Sequence, residues 1–195
     1  MRKKIVLASK SGVRKKILNQ NGIDCEVIPS NVDEDQVKES LIKEKATPKE
    51  ISKSLAELKA NKVSEKKPND LVLGADSVID LNGEIISKPS NRAKAFEILK
   101  NLNGKSHYLV SSVCICKNGN MVWNYTDKAK LTMKKMSDDQ LKEYLNKISD
   151  ENLFSYNVYQ IEGEGKNLFK NIEGDFNTIM GLPIKKIKDY LENLK

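Results

Sequence analysis

Residues 69–89, NDLVLGADSVIDLNGEIISKP, carry the clearest indication of how this chain folds. The apolar run at residues 71–73 predicts a buried β-strand. Asn82 and Gly83 form a dipeptide that strongly signals a two-residue hairpin turn. The segment therefore predicts a strand that turns back on itself as an antiparallel pair.

The register of this hairpin brings a carboxylate and a lysine near each other. A two-residue turn pairs Leu81 with Glu84. The same register pairs Ser77 with Lys88 further along the strands. Asp76 then ends the buried strand or lies just beyond it, as an ordinary turn former or as a functional carboxylate. Strict alternation puts Asp76 and Lys88 on opposite faces, so they line one site only if the strand bulges or splays.

The rest of the sequence mixes helix and strand patterns. Thr47 with Glu50, and Ser137 with Gln140, form capping boxes that each open a helix. The other predicted elements are strands at residues 4–8 and 24–30, a helix at 11–21, an acidic loop or helix start at 31–40, an apolar helical stripe of Ile51, Leu55 and Leu58, a helix at 90–102, a long hairpin over 107–133, a strand-like segment at 174–184, and a C-terminal helix with apolar Ile184, Ile187, Leu191 and Leu194. This order favours one domain over residues 1–195, with a mixed sheet and helices on its faces.

The charge of the chain limits its partners. The 195 residues carry a formal net charge of +7, from 34 basic and 27 acidic residues. This excess reflects either a lysine-rich coding bias or a preference for anionic partners. Basic and acidic residues are interspersed and aromatic residues make up only 6% of the chain. We therefore expect no nucleic-acid partner, because such surfaces cluster basic and aromatic side chains.

Thiols and apolar runs indicate the compartment. No stretch approaches membrane-spanning length, and the apolar run after the start MRKK is too short for a signal peptide. The cysteines Cys25, Cys114 and Cys116 lack the spacing of a metal site. We expect a cytoplasmic protein with reduced thiols and no membrane partner. His107 is its only histidine, so histidine-based catalysis has little support.

Polar residues directly follow the first predicted strand. In LASKSGVRKKIL, residues 7–18, Ser9 and Arg14 lie at the start of the predicted helix. The cluster is either a solvated helix start or an anion pocket, because helix N-termini offer unpaired N–H groups. Lys59 follows Leu55 by four positions and falls in line with the apolar stripe. It either snorkels at the edge of the stripe or directs its ammonium at an anion in a cleft.

Cations and carboxylates without histidine suit a metal-assisted reaction on phosphates. Mg²⁺ takes oxygen ligands and bridges substrate phosphates, while lysine and arginine neutralise the remaining charge. The hydroxyl and cationic candidates are Ser9, Arg14, Lys59 and Lys88, and the carboxylate candidates are Asp76 and Glu34.

Eight sequence blocks resemble the signature blocks of one family, in the same order. They are LASKSGVR, VDE, SLAELKA, GADSV, SKP, LNGKSHYLVSSV, YQIEGEG and IEGDFNTIMGLP. Together they resemble the Maf family of nucleoside triphosphate pyrophosphatases. The resemblance implies an α/β fold similar to that of inosine triphosphatase: an elongated mixed sheet flanked by helices, with two lobes around a central cleft.

The resemblance also implies a function. It implies an enzyme that hydrolyses a nucleoside triphosphate to the monophosphate and pyrophosphate with a divalent cation, Mg²⁺ or Mn²⁺. It is compatible with a homodimer, with removal of non-standard nucleotides, and with a link to the arrest of septum formation. The alternative is a non-catalytic nucleotide-binding regulator of septum formation. By this resemblance, Asp76 is the proton acceptor, Glu34 and Asp76 lie on the metal side, and the phosphates are handled by Ser9, Arg14, Lys59 and Lys88.

Three positions depart from the family pattern at places associated with the choice of base. Val13 stands where the family commonly has an arginine. Ser77 and Glu162 stand where pyrimidine-preferring members have threonine and glutamine. The Glu162 carboxylate can only accept hydrogen bonds, and glutamate there resembles the branch that hydrolyses 7-methyl-GTP. Glu162 therefore predicts a preference for guanine-type or modified purine triphosphates, against which Val13 supplies no aromatic ring to stack on such a base and Ser77 matches neither branch.

Overall fold

A computed structural model describes residues 4–194 as alternating strands and helices. None of the helices in this range is long and apolar enough to cross a membrane. The elements are β1 (Lys4–Leu7), α1 (Gly12–Gln20), β2 (Asp24–Val27), α2 (Glu34–Lys43), α3 (Pro48–Ser64), β3 (Val72–Leu81), β4 (Glu84–Ile86), α4 (Arg92–Leu102), β5 (Ser106–Lys117), β6 (Asn120–Met133), α5 (Asp138–Asn146), α6 (Asp150–Tyr156), a short 3-10 helix (Glu164–Leu168), β7 (Phe169–Glu173), α7 (Phe176–Ile179) and α8 (Ile184–Glu192).

The strands of the described chain form a seven-stranded mixed sheet. Its order is β2-β1-β3-β5-β6-β7, with β4 beside β3. β1 runs parallel to β2 and β3, whereas β4 and β7 are antiparallel to β3 and β6. The predicted hairpin is confirmed, since Leu81 pairs with Glu84. Asn82 and Gly83 have φ angles of 57° and 89°, and positive φ at both central residues is what a type I′ turn requires. The predicted mixed sheet is also confirmed, because the sheet contains both parallel and antiparallel pairs.

The described chain divides into two compact units. The first contains residues 4–77, 110–128 and 175–194, and the second contains residues 78–109 and 129–174. Strands β3, β5 and β6 contribute residues to both units. The single domain predicted over residues 1–195 stays a prediction.

Alternate residues of β1 and β3 face two separate apolar clusters in the first unit. Odd-numbered residues such as Leu7 and Leu73 pack with apolar side chains of α1 and α8. Even-numbered residues such as Val6 and Val72 pack with small and apolar side chains of α3. Successive side chains of a strand point to opposite faces. The side chains of neighbouring β3 residues therefore lie on opposite faces of the sheet.

A glycine lets α3 approach the sheet closely. A Cβ atom added at Gly74 would overlap the carbonyl oxygen of Ala56 and would lie 2.7 Å from the backbone nitrogen of Ala60. Real Cβ contacts are essentially never shorter than 3.0 Å. A residue without a Cβ atom is needed where two backbones come this close, so Gly74 determines how near α3 lies to β3.

The second unit buries the only histidine. His107 is 1% exposed, and its Nε2 lies 2.8 Å from Tyr159 Oη. The rings of Tyr159 and Phe169 lie beside the imidazole, with centroid distances of 5.7 and 5.8 Å. Nδ1 is buried and has no hydrogen-bond partner among the described residues. Burial lowers the pKa of His107 to about 4, so the imidazole is neutral at neutral pH.

Two details of β3 and α3 differ from the sequence prediction. Asp76 does not end its strand, because β3 continues to Leu81. Leu58 is 39% exposed and lies outside the apolar stripe. The buried residues of α3 recur as adjacent pairs every four positions. The buried stripe of α3 therefore excludes Leu58 and includes Lys59.

The C-terminal region contains less strand than predicted. Residues 174–184 form no strand, since α7 lies within this segment and α8 begins at its last residue. Asp175 caps α7, because its side chain accepts hydrogen bonds from the backbone N–H groups of Asn177 and Thr178. Leu194 lies beyond the end of α8 and is 46% exposed, so it does not belong to the apolar face of that helix.

Candidate active site

A buried lysine of α3 binds two carboxylates. The Lys59 Nζ lies 2.8 Å from Asp76 Oδ1 and 2.9 Å from Glu34 Oε1. Lys59 and Asp76 are 5% and 4% exposed, whereas the Glu34 side chain is 38% exposed. The ammonium does not snorkel to the surface. It lies in a mostly buried cluster of opposite charges, which is the alternative that predicted a partner anion for Lys59.

Local sequence signals place these three charges. The capping box of Thr47 and Glu50 fixes the start of α3. The Asp33 side chain caps α2 and so places Glu34 in the first turn of that helix. Gly74 then allows α3 to lie close enough to β3 for the lysine to reach the carboxylate of the next even-numbered residue.

One oxygen of the Asp76 carboxylate is left without a donor. Oδ1 accepts from Lys59, whereas Oδ2 is buried and has no hydrogen-bond partner among the described residues. A buried acceptor without a donor is costly, roughly 1–3 kcal/mol. Asp76 Oδ2 therefore keeps lone pairs for a proton or a cation.

Arg14 connects four groups on the other face of β3. Its Nε donates to the carbonyl oxygen of Gly181 at 2.9 Å. Its Nη1 donates to Ser9 Oγ at 3.2 Å and to the carbonyl oxygen of Ala75 at 3.0 Å. Its Nη2 donates to Ser77 Oγ at 3.2 Å. Arginine has five N–H groups, so one Nη2 N–H is left for a substrate.

The guanidinium stays charged in this position. Burial lowers the pKa of Arg14 from its usual value, while the Asp76 and Glu34 carboxylates raise it. Arginine is not deprotonated in proteins, so the positive charge persists. Ser9 Oγ accepts from Arg14 Nη1 and from the backbone N–H of Ser11. The hydroxyl hydrogen of Ser9 is therefore available to an anion.

A hydroxyl network that the sequence did not reveal lies next to Arg14. Ser111 Oγ lies 2.7 Å from Ser77 Oγ and donates to the carbonyl oxygen of Thr178 at 2.7 Å. Thr178 Oγ1 in turn donates to Asp127 Oδ2 at 2.7 Å. Ser111 occurs within an ordinary strand pattern, which gives no local signal of this role. The Gly-Leu-Pro sequence after Met180 is a turn signal that could have indicated an unusual backbone at this place. Gly181 indeed has a φ of 91°.

Three predicted site residues lie elsewhere. Lys88 and Glu162 are exposed and belong to the second unit. The β3–β4 ladder ends at the pair of Ile79 and Ile86, so the predicted pairing of Lys88 lies beyond the strands. Val13 is half-buried and packs against the apolar cluster of α1 and α8. In the first unit the structure brings together two groups: Ser9, Arg14 and Ser77 on one face of β3, and Glu34, Lys59 and Asp76 on the other. The Asp76 and Glu34 carboxylates interact electrostatically with Arg14.

The comparison with known proteins places the chain in a family. A family model described as Maf-like protein matches residues 4–194. The chain belongs to the Maf family. This membership confirms the resemblance of the eight sequence blocks.

Relatives of this Maf chain match it over its length. The chain is 68% identical over 195 residues to a protein of Pelagibacter ubique (strain HTCC1062) named nucleoside triphosphate pyrophosphatase, with 100% of both chains covered. It is 40% identical over 187 residues to a protein of the same name from Caulobacter vibrioides, covering 96% of this chain and 94% of that one. A solved HAM1 protein from Coxiella burnetii matches 69% of this chain and 74% of its own, with 16% identity and a TM-score of 0.48.

Carboxylates are the oxygen donors that this Maf chain offers to a divalent cation near Lys59. The described residues contain no group of three or more His, Cys, Asp or Glu side chains that could hold a metal ion by themselves. Mg²⁺, however, keeps several waters and usually binds one or two carboxylates together with substrate phosphates. The carboxylates that could take part in such a site are those of Asp76, whose Oδ2 is buried and has no hydrogen-bond partner among the described residues, and of the partly exposed Glu34.

Proposed function

We propose that this Maf protein hydrolyses nucleoside triphosphates to nucleoside monophosphate and pyrophosphate at the cluster of Arg14, Lys59 and Asp76. The observation that carries the proposal is the buried Asp76 carboxylate, which binds a lysine through Oδ1 and leaves Oδ2 unpartnered. Full-length relatives that share 68% and 40% of its residues bear the corresponding enzyme name.

The Asp76 carboxylate acts as the proton acceptor. Lys59 holds Oδ1 at 2.8 Å and so fixes the orientation of the carboxylate. Oδ2 then accepts a proton from the water that attacks the phosphate, a general-base contribution of roughly 10²–10⁴-fold in rate. Because Lys59 and Asp76 are almost fully buried, the electrostatic effect of each is larger than it would be in water.

Hydrogen-bond donors of the first unit bind the phosphates. The remaining Nη2 N–H of Arg14 and the free hydroxyl hydrogen of Ser9 are available to phosphate oxygens. Lys59, which binds the Asp76 and Glu34 carboxylates, is a further candidate to offset phosphate charge, and the same role of Lys88 stays a prediction. Donors of this kind stabilise the negative charge that develops in the transition state.

A divalent cation, Mg²⁺ or Mn²⁺, completes the proposed site. The Glu34 carboxylate would hold it as an oxygen donor that leaves positions open for water and phosphate. Asp76 would be the second ligand only where its Oδ2 does not act as the proton acceptor. When bound, such an ion polarises phosphoryl oxygens and offsets their charge.

The proposed role is the removal of non-standard nucleotides in the cytoplasm before polymerases can use them. Glu162 supports a preference for guanine-type or modified purine triphosphates, because its carboxylate can only accept hydrogen bonds, whereas Val13 offers no aromatic ring to stack on such a base and Ser77 favours no particular base. A non-catalytic regulator of septum formation would not need a buried carboxylate with an unpartnered oxygen, so Asp76 favours the enzyme.

The test is product analysis on a panel of nucleoside triphosphates with Mg²⁺. We expect pyrophosphate and the monophosphate. The Asp76→Asn variant should lose roughly 10²–10⁴-fold in kcat and still bind nucleotide. Asp80→Asn is the matched control, since Asp80 lies on the same strand but only accepts from the backbone N–H of Gly83. Release of orthophosphate and a diphosphate would refute the proposed reaction.

A further inference from the structure

We propose that Ser111 is a positioning residue that orients Arg14 for substrate binding. This inference rests on the proposed function, since it concerns the same site. Ser111 is fully buried on β5 and touches neither the charged cluster nor Arg14 directly. It acts through Ser77 and through the turn that carries Gly181.

The first link is the order of the hydroxyl hydrogens. A carbonyl oxygen can only accept, so Ser111 Oγ donates its single hydrogen to the Thr178 carbonyl oxygen. In the 2.7 Å contact between Ser77 and Ser111, the donor must then be Ser77. Ser77 has no second hydrogen and presents a lone pair to Arg14 Nη2, as the 3.2 Å contact requires. Ser111 thus fixes the direction of the whole chain of hydrogen bonds.

The second link is the turn after α7. The Thr178 carbonyl oxygen accepts from Ser111 Oγ at 2.7 Å and from the backbone N–H of Gly181 at 3.0 Å. Ser111 therefore holds the turn in which the carbonyl of Gly181, three residues after Thr178, accepts from Arg14 Nε at 2.9 Å. Two of the four hydrogen bonds of the guanidinium depend on this one hydroxyl.

Fixing the guanidinium determines where its last N–H points. The guanidinium is planar, so its hydrogen bonds to the Gly181 carbonyl and to Ser77 help to fix the plane in which the remaining Nη2 N–H lies. Without Ser111, Ser77 can turn its hydrogen toward Arg14 and the Gly181 carbonyl can shift. The remaining Nη2 N–H would then lose its orientation, and substrate binding would weaken without loss of the Asp76 carboxylate.

The test compares two buried serines that are neighbours on β5. Ser112 is as buried as Ser111 and binds two hydroxyl groups, those of Ser52 and Thr126, but has no link to Arg14. Ser111→Ala should raise KM for the triphosphate on the order of tenfold with little change in kcat. Ser111→Thr retains a hydroxyl and should restore most of the affinity. Ser112→Ala should leave KM unchanged.

A double-mutant cycle separates positioning from general loss of structure. In an Arg14→Ala background, Ser111→Ala should produce no further rise in KM, because residues that act through one another are not additive. If Ser111→Ala fails to fold, Ser77→Ala breaks the same chain at a half-buried position and should give the same rise. Equal effects of Ser111→Ala and Ser112→Ala, or full additivity with Arg14→Ala, would overturn the proposal.

A binding measurement distinguishes this proposal from the proposed function. Calorimetry with a non-hydrolysable nucleoside triphosphate analogue reports affinity whether or not the chain is an enzyme. Weaker binding by Ser111→Ala than by Ser112→Ala supports the positioning role even if no product forms. An active enzyme in which the two variants bind alike would overturn the Ser111 proposal alone.

Discussion

Replacing Gly74 by alanine is expected to separate Lys59 from Asp76. The new methyl group would overlap the Ala56 carbonyl oxygen and approach Ala60 N to 2.7 Å, against 3.4–4 Å for an ordinary contact. Both atoms belong to the backbone of α3, so no side-chain rotation relieves the overlap. The helix itself must move away from β3.

The size of the effect follows from these distances. Restoring ordinary contact requires α3 to retreat by roughly 1 Å, because repulsion rises steeply below the optimal separation. Overpacking of this kind costs about 1–3 kcal/mol in the free energy of unfolding. The same retreat would stretch the 2.8 Å contact between Lys59 and Asp76 beyond hydrogen-bond length. A misplacement of about 1 Å in a catalytic group can cost 10²-fold in rate.

Two assays check this prediction on one pair of variants. Urea denaturation measures the free energy of unfolding, and pyrophosphate release measures kcat. Gly12→Ala is the control, because a Cβ atom added at Gly12 meets nothing within 4 Å and alanine favours a helix over glycine by up to about 1 kcal/mol. We expect Gly74→Ala to lose both stability and kcat and Gly12→Ala to lose neither.

Wild-type kcat in Gly74→Ala would refute the link between helix position and catalysis. Wild-type stability would show that α3 and β3 adjust without cost, contrary to the tight backbone contact. A stable but slow variant would mean that the helix moved freely and that the lysine contact alone limits the reaction.

Further predictions concern charge and pH. Because the pKa of His107 falls from about 6.5 in the unfolded chain to about 4 in the folded one, the unfolded chain binds more protons between these values. The contribution of His107 to the free energy of unfolding is complete above pH 6.5. It is lost as the pH falls toward 4, by up to roughly 3 kcal/mol. Urea denaturation of His107→Gln should therefore show a smaller fall in the free energy of unfolding between pH 6.5 and pH 4. Glu162→Gln should shift the ratio of kcat/KM from guanine toward uracil or thymine triphosphates by about tenfold or more, and an unchanged ratio would remove Glu162 from base recognition. Lys59→Ala and Lys88→Ala should weaken both binding and rate in steady-state assays, because a charge that meets phosphates acts in ground and transition states alike; an unaffected Lys88→Ala would remove that residue from the site.

Local signals in the sequence predicted the parts of the fold that depend on near neighbours. The capping box at Thr47 and the Asn-Gly turn at Asn82 act within four residues, and both occur as expected. Helical spacing also placed Lys59 in line with the apolar stripe of α3, but it left open whether the ammonium is buried. The segment after Gly174 was predicted wrongly because its apolar residues resemble a strand, whereas the cap at Asp175 starts a helix.

The contacts that the sequence did not predict join distant parts of the chain. Arg14 and Gly181 are 167 positions apart, and Ser77 and Ser111 are 34 positions apart. No spacing rule connects such pairs, since they meet only when strands and turns have assembled. Asp76 was recognised as a candidate, but its place inside a continuous strand, and not at a strand end, required the structure.

The balance of charges in the first unit has a consequence for the speed of nucleotide capture. Arg14 and Lys59 carry two positive formal charges, and Glu34 and Asp76 carry two negative ones. The charges of these four groups sum to zero, so the groups together exert little attraction on an anion more than a Debye length away. Long-range attraction must come from the remaining surface of a chain with net charge +7. The association rate of the nucleotide should therefore fall as salt is added, while the short contacts made after docking are much less sensitive to salt.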